Sequence, residues 1–550
     1  MRSPTASVAR ETRLRATLGG AVSTLSPLVL FAVLEPAVRG LGRLPIDAYE
    51  RPFFLSGLPA RVAYLATERA PLALSLAAIV LVAIPVFASG RRFLGRLFQS
   101  WSALSDGVGL CWFVAALTAI AAWTFSTHAY NSFFDQTHLL DRLILLGLWA
   151  LLVWRPVFAL PFALVLMATV NQLALPLGVY SWTEVDLLIR IPILFGSFWI
   201  VRSFTRSDDA TTFLFLFCCM LAATYWASGW GKIETGWIRH PYIDFLLIGA
   251  WASGWLAFLE AESIAGIAQT MARFNVPLML FTLIAECGAI LFLWRRRMLL
   301  GLLGAWIAFH LVAFALSGIF FWKWILVEIA FLTFLLRGRR LDRLAFFTPV
   351  HFGLSVLLIL GSPFWMDPVS LTWFDTPLTY ATRLEAIGAS GASYSLHAGH
   401  FKPHAEVLTL GPFHYLSPYQ HLTGGMGVTN NADLAAELAT ARQPQEIYDM
   451  EARLGSVRYD PAQSARFDEF VARYLRVLNR GPGIPFRGLA PRHLWSYPRA
   501  GTWEGQEPIV SLRVLEITVF YDGGTVREIR HRLLRTIDVE TGIGTPAPTR

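Results

Sequence analysis

The sequence predicts a polytopic, all-α membrane bundle of about ten to twelve spans, followed by a soluble C-terminal α+β domain. Of the 550 residues, 55% are hydrophobic and only 15% are charged, whereas a soluble globular chain carries roughly a quarter charged residues. Long apolar runs recur up to about residue 365 and then stop. We therefore expect a multi-pass protein of the cell membrane that contacts membrane lipids.

Apolar runs near the length of a membrane span give the elements in order. Crossing roughly 30 Å of hydrocarbon takes about 20 helical residues. The runs lie near 19–39, 70–89, 107–126, 139–154, 157–177, 186–202, 211–229, 244–259, 276–294, 298–318, 323–336 and 345–365. The short runs at 139–154 and 244–259 are also compatible with tilted, re-entrant or interfacial helices.

Composition divides the chain into three parts. The segment RRFLGRLFQSWSAL at 91–104 places arginines and large apolar residues at helical spacing, which favours a helix on the membrane surface. We thus expect N-terminal membrane helices with this interfacial helix at 1–104, a transmembrane domain at 105–365 and a soluble domain at 366–550. Within the last, 431–443 and 464–480 predict amphipathic helices, and 509–537 predicts a hairpin around Asp-Gly-Gly.

Short basic clusters predict the topology. The net charge is +8, and arginines gather between apolar runs, as at Arg295–Arg297 and Arg337–Arg340. This pattern is typical of cytoplasmic loops, so we expect no nucleic-acid partner. With both clusters in the cytoplasm, the last span places the C-terminal domain on the extracytoplasmic side.

Several polar residues lie inside apolar runs, where a charge costs roughly 3 kcal/mol even on lenient insertion scales. Asp186 and Arg190 are four residues apart on one helix, and we expect them to neutralise each other as a structural pair. Glu286, His310 and Glu328 allow two interpretations. They either form interhelical hydrogen bonds that fix the bundle, or line a polar pocket that binds a ligand or moves protons.

Lys232 ends an apolar run in the stretch YWASGWGKIETGW at 225–237. Glycines at 229 and 231 allow close approach of another chain segment. Tryptophans at 226, 230 and 237 suit the membrane interface. Lys232 is then either a lysine that snorkels to the headgroups from an aromatic belt or a desolvated lysine whose lowered pKa suits a general base.

The same stretch resembles a segment of the vitamin K-dependent gamma-glutamyl carboxylase family and the wider bacterial horizontally transferred transmembrane (HTTM) class. In that family an aromatic pair and a glycine precede the catalytic base lysine, and Lys232 falls on that lysine. An acidic residue, a basic cluster, a histidine and an aromatic turn follow in the family's order, here as Glu286, Arg295–Arg297, His310 and GIFFWKWILVE. The resemblance covers roughly residues 105–340.

The resemblance implies a membrane enzyme in which Lys232 deprotonates a lipid quinol of the vitamin K or menaquinone type. Glu286 and His310 would shape the pocket. The residues expected to contact the cofactor are Trp226, Gly229 and Trp230. The activity would be that of a carboxylase-like lyase or a quinol oxidase, with a protein or peptide substrate on the extracytoplasmic side.

One departure from the family concerns the reaction. Where the carboxylase carries asparagines and a histidine, this sequence has Thr183, Glu184 and Val185. This argues against carboxylation itself and leaves base chemistry open. The rival interpretation is a non-catalytic scaffold or a transporter, whose buried polar residues support packing or a solute path.

A histidine-rich stretch in the C-terminal domain raises the question of a metal. It contains His397, His400, His404, His414 and His421. A helical His-x2-His-x3-His pattern would suit a metal, but Gly399 and Lys402-Pro403 interrupt a helix. We therefore expect surface histidines and no metal site.

Overall fold

The computed structural model of the protein describes residues 25–40, 90–127, 138–174, 186–205, 210–337, 340–401, 404–411, 413–481, 489–498 and 501–546. Helices dominate up to residue 360, and a β-sheet region follows, as the sequence predicts. The predicted span at 70–89 and the departure at Thr183–Val185 lie outside these residues.

The helices of the membrane part begin and end close to the predicted runs. They are α1 (25–40), α2 (Gly90–Leu97), α3 (Gly107–Ser126), α4 (Leu139–Trp154), α5 (Ala159–Ala174), α6 (Asp186–Thr205), α7 (Thr211–Glu234), α8 (Ile243–Ala252), α9 (Ala261–Met271), α10 (Asn275–Cys287), α11 (Arg296–Ser317), α12 (Trp322–Leu336), α13 (Arg340–Arg343) and α14 (Pro349–Leu360).

Within the described residues, five helical segments are long and apolar enough to cross a membrane: α3, α6, α7, Ala261–Leu291 and α11. The predicted helical region is confirmed and its apolar helices are compatible with a membrane location, while ten to twelve crossings stays a prediction. The run at 244–259 forms only the ten-residue α8, about half the length that a crossing needs.

Helix boundaries follow local sequence signals. Gly318 ends α11 in the left-handed conformation, with φ of 72°, which a glycine adopts without strain. Thr348 precedes α14 and its side chain accepts a hydrogen bond from the His351 amide, while Pro349 occupies the first helical position. Helix α7 is central to the bundle, because it packs against α6, α10 and α14.

The described C-terminal region contains a five-stranded antiparallel sheet in the order β3-β2-β5-β6-β7 and a two-stranded sheet, β1-β4. Its strands are β1 (Phe374–Asp375), β2 (Leu378–Gly388), β3 (Ser393–Leu396), β4 (Val428–Thr429), β5 (Ile509–Tyr521), β6 (Val526–Asp538) and β7 (Gly544–Pro546), and its helices are α15 (Ala405–Leu410), α16 (Ala432–Thr440), α17 (Pro444–Leu454) and α18 (Pro461–Asn479). The predicted hairpin is confirmed: β5 and β6 pair up to Tyr521 and Val526, around Asp-Gly-Gly.

The C-terminal region packs directly on the membrane part. Helix α8 contacts β2 and the turn at 425–427, and α9 contacts β6. At Gly249 of α8, a Cβ atom would lie 2.0 Å from the Met426 carbonyl oxygen, so only glycine permits this approach. The two parts therefore share an interface, and the candidate site lies beside it.

Candidate functional site

A cavity lies among α7, α10, α11 and α12 and is bounded on one side by the C-terminal region. It encloses about 1410 Å³ of empty space, counting its open mouth. Most of its wall is apolar, with aromatic side chains such as Phe281 and Trp324. The three residues predicted to be catalytic, Lys232, Glu286 and His310, all line it. The structure thus brings together in one cavity side chains from three helices.

Lys232 and Glu286 form a buried ion pair. The Lys232 Nζ donates to the two Glu286 carboxylate oxygens at 2.9 and 2.8 Å and to the Leu371 carbonyl oxygen at 2.9 Å. These bonds use all three donors of the ammonium group. Lys232 is 8% exposed and Glu286 is 3% exposed. Because the Lys232 charge is held inside the protein, the snorkelling interpretation is wrong.

Gly229 determines how closely α7 approaches α10. A Cβ atom at this position would lie 2.9 Å from both the Cys287 amide nitrogen and the Glu286 Cβ. Only a glycine fits there, and its absence of a side chain lets the lysine of α7 reach the carboxylate of α10. The close contact that this glycine permits in the structure is with α10.

The residues expected to contact a cofactor do not reach the cavity. Trp226 and Trp230 stack on each other, with ring centroids 5.8 Å apart, and Trp230 is 46% exposed. Among the described lining residues, neither these tryptophans nor Gly229 is present. A ligand in this cavity would therefore be contacted by other residues, and the expectation for these three gains no support from the geometry.

His310 belongs to a second buried polar cluster. The Tyr225 hydroxyl lies 2.7 Å from the His310 Nε2 and donates to the Glu328 carboxylate in a short hydrogen bond. The His310 Nε2 and the Glu328 Oε1 are 3.4 Å apart. Within the described residues, the His310 Nδ1 and the Glu328 Oε2 have no hydrogen-bond partner. The cluster therefore links helices, and Tyr225 and His310 also border the cavity; ligand binding or proton movement there stays a prediction.

Tyr225 is a site residue that the sequence reasoning missed. It stacks on Trp306, with ring centroids 4.0 Å apart, and lines the cavity together with Ser228 and Lys232. The three residues are spaced by three and four positions, which places them on one face of α7. The sequence signal for Tyr225 was therefore its spacing from Lys232, which places both residues on the same helix face.

The closing segment, residues 369–375, forms the wall contributed by the C-terminal region. An extended chain alternates its side chains between two sides, and the lining residues alternate accordingly: Val369, Leu371, Trp373 and Asp375. Between them, Ser370 and Thr372 pack on Gly231, where a Cβ atom would lie 2.5 Å from each hydroxyl oxygen. The Leu371 amide also donates to the Ser228 hydroxyl at 3.1 Å. The closing segment is therefore attached to α7 at the glycine beside Lys232.

A separate ionic cluster borders the same cavity. The Arg190 Nη1 lies 3.6 Å from an Asp186 carboxylate oxygen, so the predicted pair is present. Helix α1 extends it: the Arg39 Nη2 lies 2.9 Å from Asp186, and the Arg190 Nε lies 3.3 Å from Glu35. Two acidic and two basic side chains balance each other, which reduces the cost of burying them.

Three histidines of the histidine-rich stretch, His404, His414 and His421, are buried, so their expected surface position is wrong. The His414 and His421 rings stack with centroids 3.9 Å apart, and the His421 Nε2 lies 2.7 Å from Glu516. Burial and the neighbouring His421 lower the pKa of His414 to about 2. In the part of the chain that the structure describes, no group of three His, Cys, Asp or Glu side chains is placed to hold a metal.

No family model matches the chain, and no curated protein or solved structure is significantly similar to it. Membership of the carboxylase-like class therefore stays a prediction from the motif around Lys232 and its order with Glu286 and His310.

Proposed function

We propose that this protein is a multi-pass membrane enzyme of the carboxylase-like HTTM class that binds a lipid quinol in the cavity and uses Lys232 as a base. The observation that supports the proposal is the shared cavity: Lys232, Glu286 and His310 border one mostly apolar space. Sequence order alone did not require these residues to meet. In this proposal the quinol is of the vitamin K or menaquinone type, and the C-terminal region lies on the extracytoplasmic side.

The lining of the cavity suits a lipophilic ligand. Small-molecule sites combine mostly apolar walls with a few placed polar groups. Here the wall is mostly apolar, and aromatic side chains such as Trp324 and Phe281 provide surfaces for a planar ring. The charged pair lies at this wall, so a ligand head group would meet it.

The Lys232–Glu286 pair supplies the base by an internal proton shift. Moving a proton from the lysine Nζ to the Glu286 carboxylate gives a neutral amine and a carboxylic acid without changing the total charge. Lys232 would then accept the proton of a ligand hydroxyl within hydrogen-bond reach of its Nζ, and Glu286 would hold the proton that the lysine released.

The test compares Lys232→Met with Lys323→Met. Lys323 is a second buried lysine, 5% exposed, and it is absent from the described cavity lining. Each protein is purified in native lipid discs, its bound quinone is extracted and measured, and oxidation of added hydroquinone by dioxygen is followed. We expect quinone to co-purify with the wild type and with Lys323→Met, and we expect Lys232→Met to lose about 100-fold or more of the oxidation rate.

Two results would contradict the proposal in different ways. Oxidation by Lys232→Met at the wild-type rate would exclude this lysine as the base. If no quinone co-purifies and the wild type oxidises no hydroquinone, the non-catalytic scaffold or transporter becomes the better interpretation.

A further inference from the structure

Asp375 is a buried carboxylate that the proposed chemistry does not use. It belongs to β1, is 6% exposed, and lines the cavity at the end of the closing segment. One of its oxygens, Oδ1, has no hydrogen-bond partner among the described residues. A buried acceptor without a donor costs free energy comparable to a lost hydrogen bond. The cavity is thus bordered by a buried carboxylate that lacks a donor at one of its oxygens.

The backbone around Asp375 is held in place. Strand β1 pairs with β4, with Asp375 opposite Val428. The next residue, Thr376, donates from its amide and its hydroxyl to the Gly427 carbonyl oxygen, at 3.0 and 2.7 Å. A side chain on so constrained a backbone keeps its direction, which is the condition for a preorganised binding group.

Two charged side chains act on Asp375. Burial raises the pKa of Asp375 to about 7, Asp244 of α8 also raises it, and Lys232 of α7 lowers it, so the carboxylate is ionised at pH 8. An ionised carboxylate only accepts hydrogen bonds. It therefore pairs with a hydroxyl and repels a carbonyl oxygen.

Resting on the proposed function, we infer that Asp375 is a binding residue that selects the reduced, hydroxyl-bearing form of a lipophilic quinone by accepting a hydrogen bond from its O–H group. The C-terminal region then contributes directly to ligand recognition within the cavity. Lys232 and Asp375 have separate roles. The Lys232–Glu286 pair accepts the ligand proton, and Asp375 discriminates hydroquinone from quinone.

The test measures binding at pH 8 without oxygen, by quenching of tryptophan fluorescence. Its probes are a short-chain 1,4-naphthohydroquinone and the dimethyl ether of the same compound, which has no O–H group. A hydrogen bond to a charged group leads us to expect about tenfold or more tighter binding of the hydroquinone by the wild type. Asp375→Ala should lose this preference and bind the ether normally. Asp433→Ala, which changes an exposed aspartate of α16, should keep it.

The outcomes separate the two proposals. Equal affinity of the wild type for both probes overturns the role of Asp375 and leaves a quinol cavity intact, whereas binding of neither probe overturns both. If Asp375→Ala does not purify as a folded protein, Asp375→Asn, which keeps the shape and loses the charge, should show a reduced preference. A full preference in either variant overturns the inference.

Discussion

Replacing Lys232 by methionine should leave the Glu286 carboxylate buried without its cation. Methionine has nearly the length of lysine and lacks the charge, so the substitution removes the ion pair with little change of volume. Glu286→Leu makes the reciprocal change, and the double variant removes both charges. The three variants form a cycle that measures the coupling between the two side chains.

The magnitude follows from the geometry of the pair. The Nζ–carboxylate distances are 2.9 and 2.8 Å, and both residues are at least nine-tenths buried. Breaking such a buried pair by removing one partner costs about 3–5 kcal/mol, whereas replacing both by apolar residues is often close to neutral. The double variant still leaves the Leu371 carbonyl oxygen without its donor, which costs about 1–3 kcal/mol. We expect a coupling energy of about 3 kcal/mol or more.

The free energy of unfolding is measured in mixed micelles of increasing SDS content, followed by tryptophan fluorescence. The control cycle uses Arg453→Met and Glu437→Gln, an ion pair whose side chains are 57% and 40% exposed. Exposed pairs contribute about 0–1 kcal/mol, so the control coupling should be small. Additive effects of Lys232→Met and Glu286→Leu would refute the reasoning, because they would mean that the pair is not desolvated.

Two further predictions concern packing and pH. Gly229→Ala should lower the free energy of unfolding by about 1–3 kcal/mol, because the new methyl group meets backbone of α10. The control is Gly301→Ala, where nothing lies within 4 Å of the new methyl group, and this change should be neutral or slightly stabilising. Equal effects of the two substitutions on the free energy of unfolding would contradict this account. Burial raises the pKa of Asp375 from 3.8 to about 7, with Asp244 also raising it and Lys232 lowering it. Between pH 3.8 and about 7, Asp375 is protonated in the folded state and ionised in the unfolded state. The protonated Asp375 therefore adds to the free energy of unfolding at low pH, and this contribution is lost as the pH rises through about 7. Relative to Asp375→Asn, the wild type should lose about 2–3 kcal/mol of unfolding free energy from pH 5 to pH 8, and parallel pH profiles of the two proteins would exclude the raised pKa.

Local signals in the sequence determined most of the elements. The apolar runs at 107–126 and 139–154 end where α3 and α4 end, because the length and periodicity of apolar residues are properties of the chain itself. The hairpin at 509–537 was equally readable from alternating residues around Asp-Gly-Gly. Lys232 could be singled out because a charge in an apolar run has a cost wherever the chain folds.

Tertiary structure alone decided which groups meet. Glu286 lies 54 positions from Lys232, and Leu371 lies 139 positions away, so no local period relates them. The glycine at 229 signalled a close approach, but the identity of its neighbour depended on how α10 packs. The same reason applies to the buried histidines: their burial depends on neighbours from distant strands, such as Glu516. The sequence by itself thus determined which polar groups lie in the apolar part of the chain. Long-range packing decided that these groups share one cavity and that Asp375 lines it.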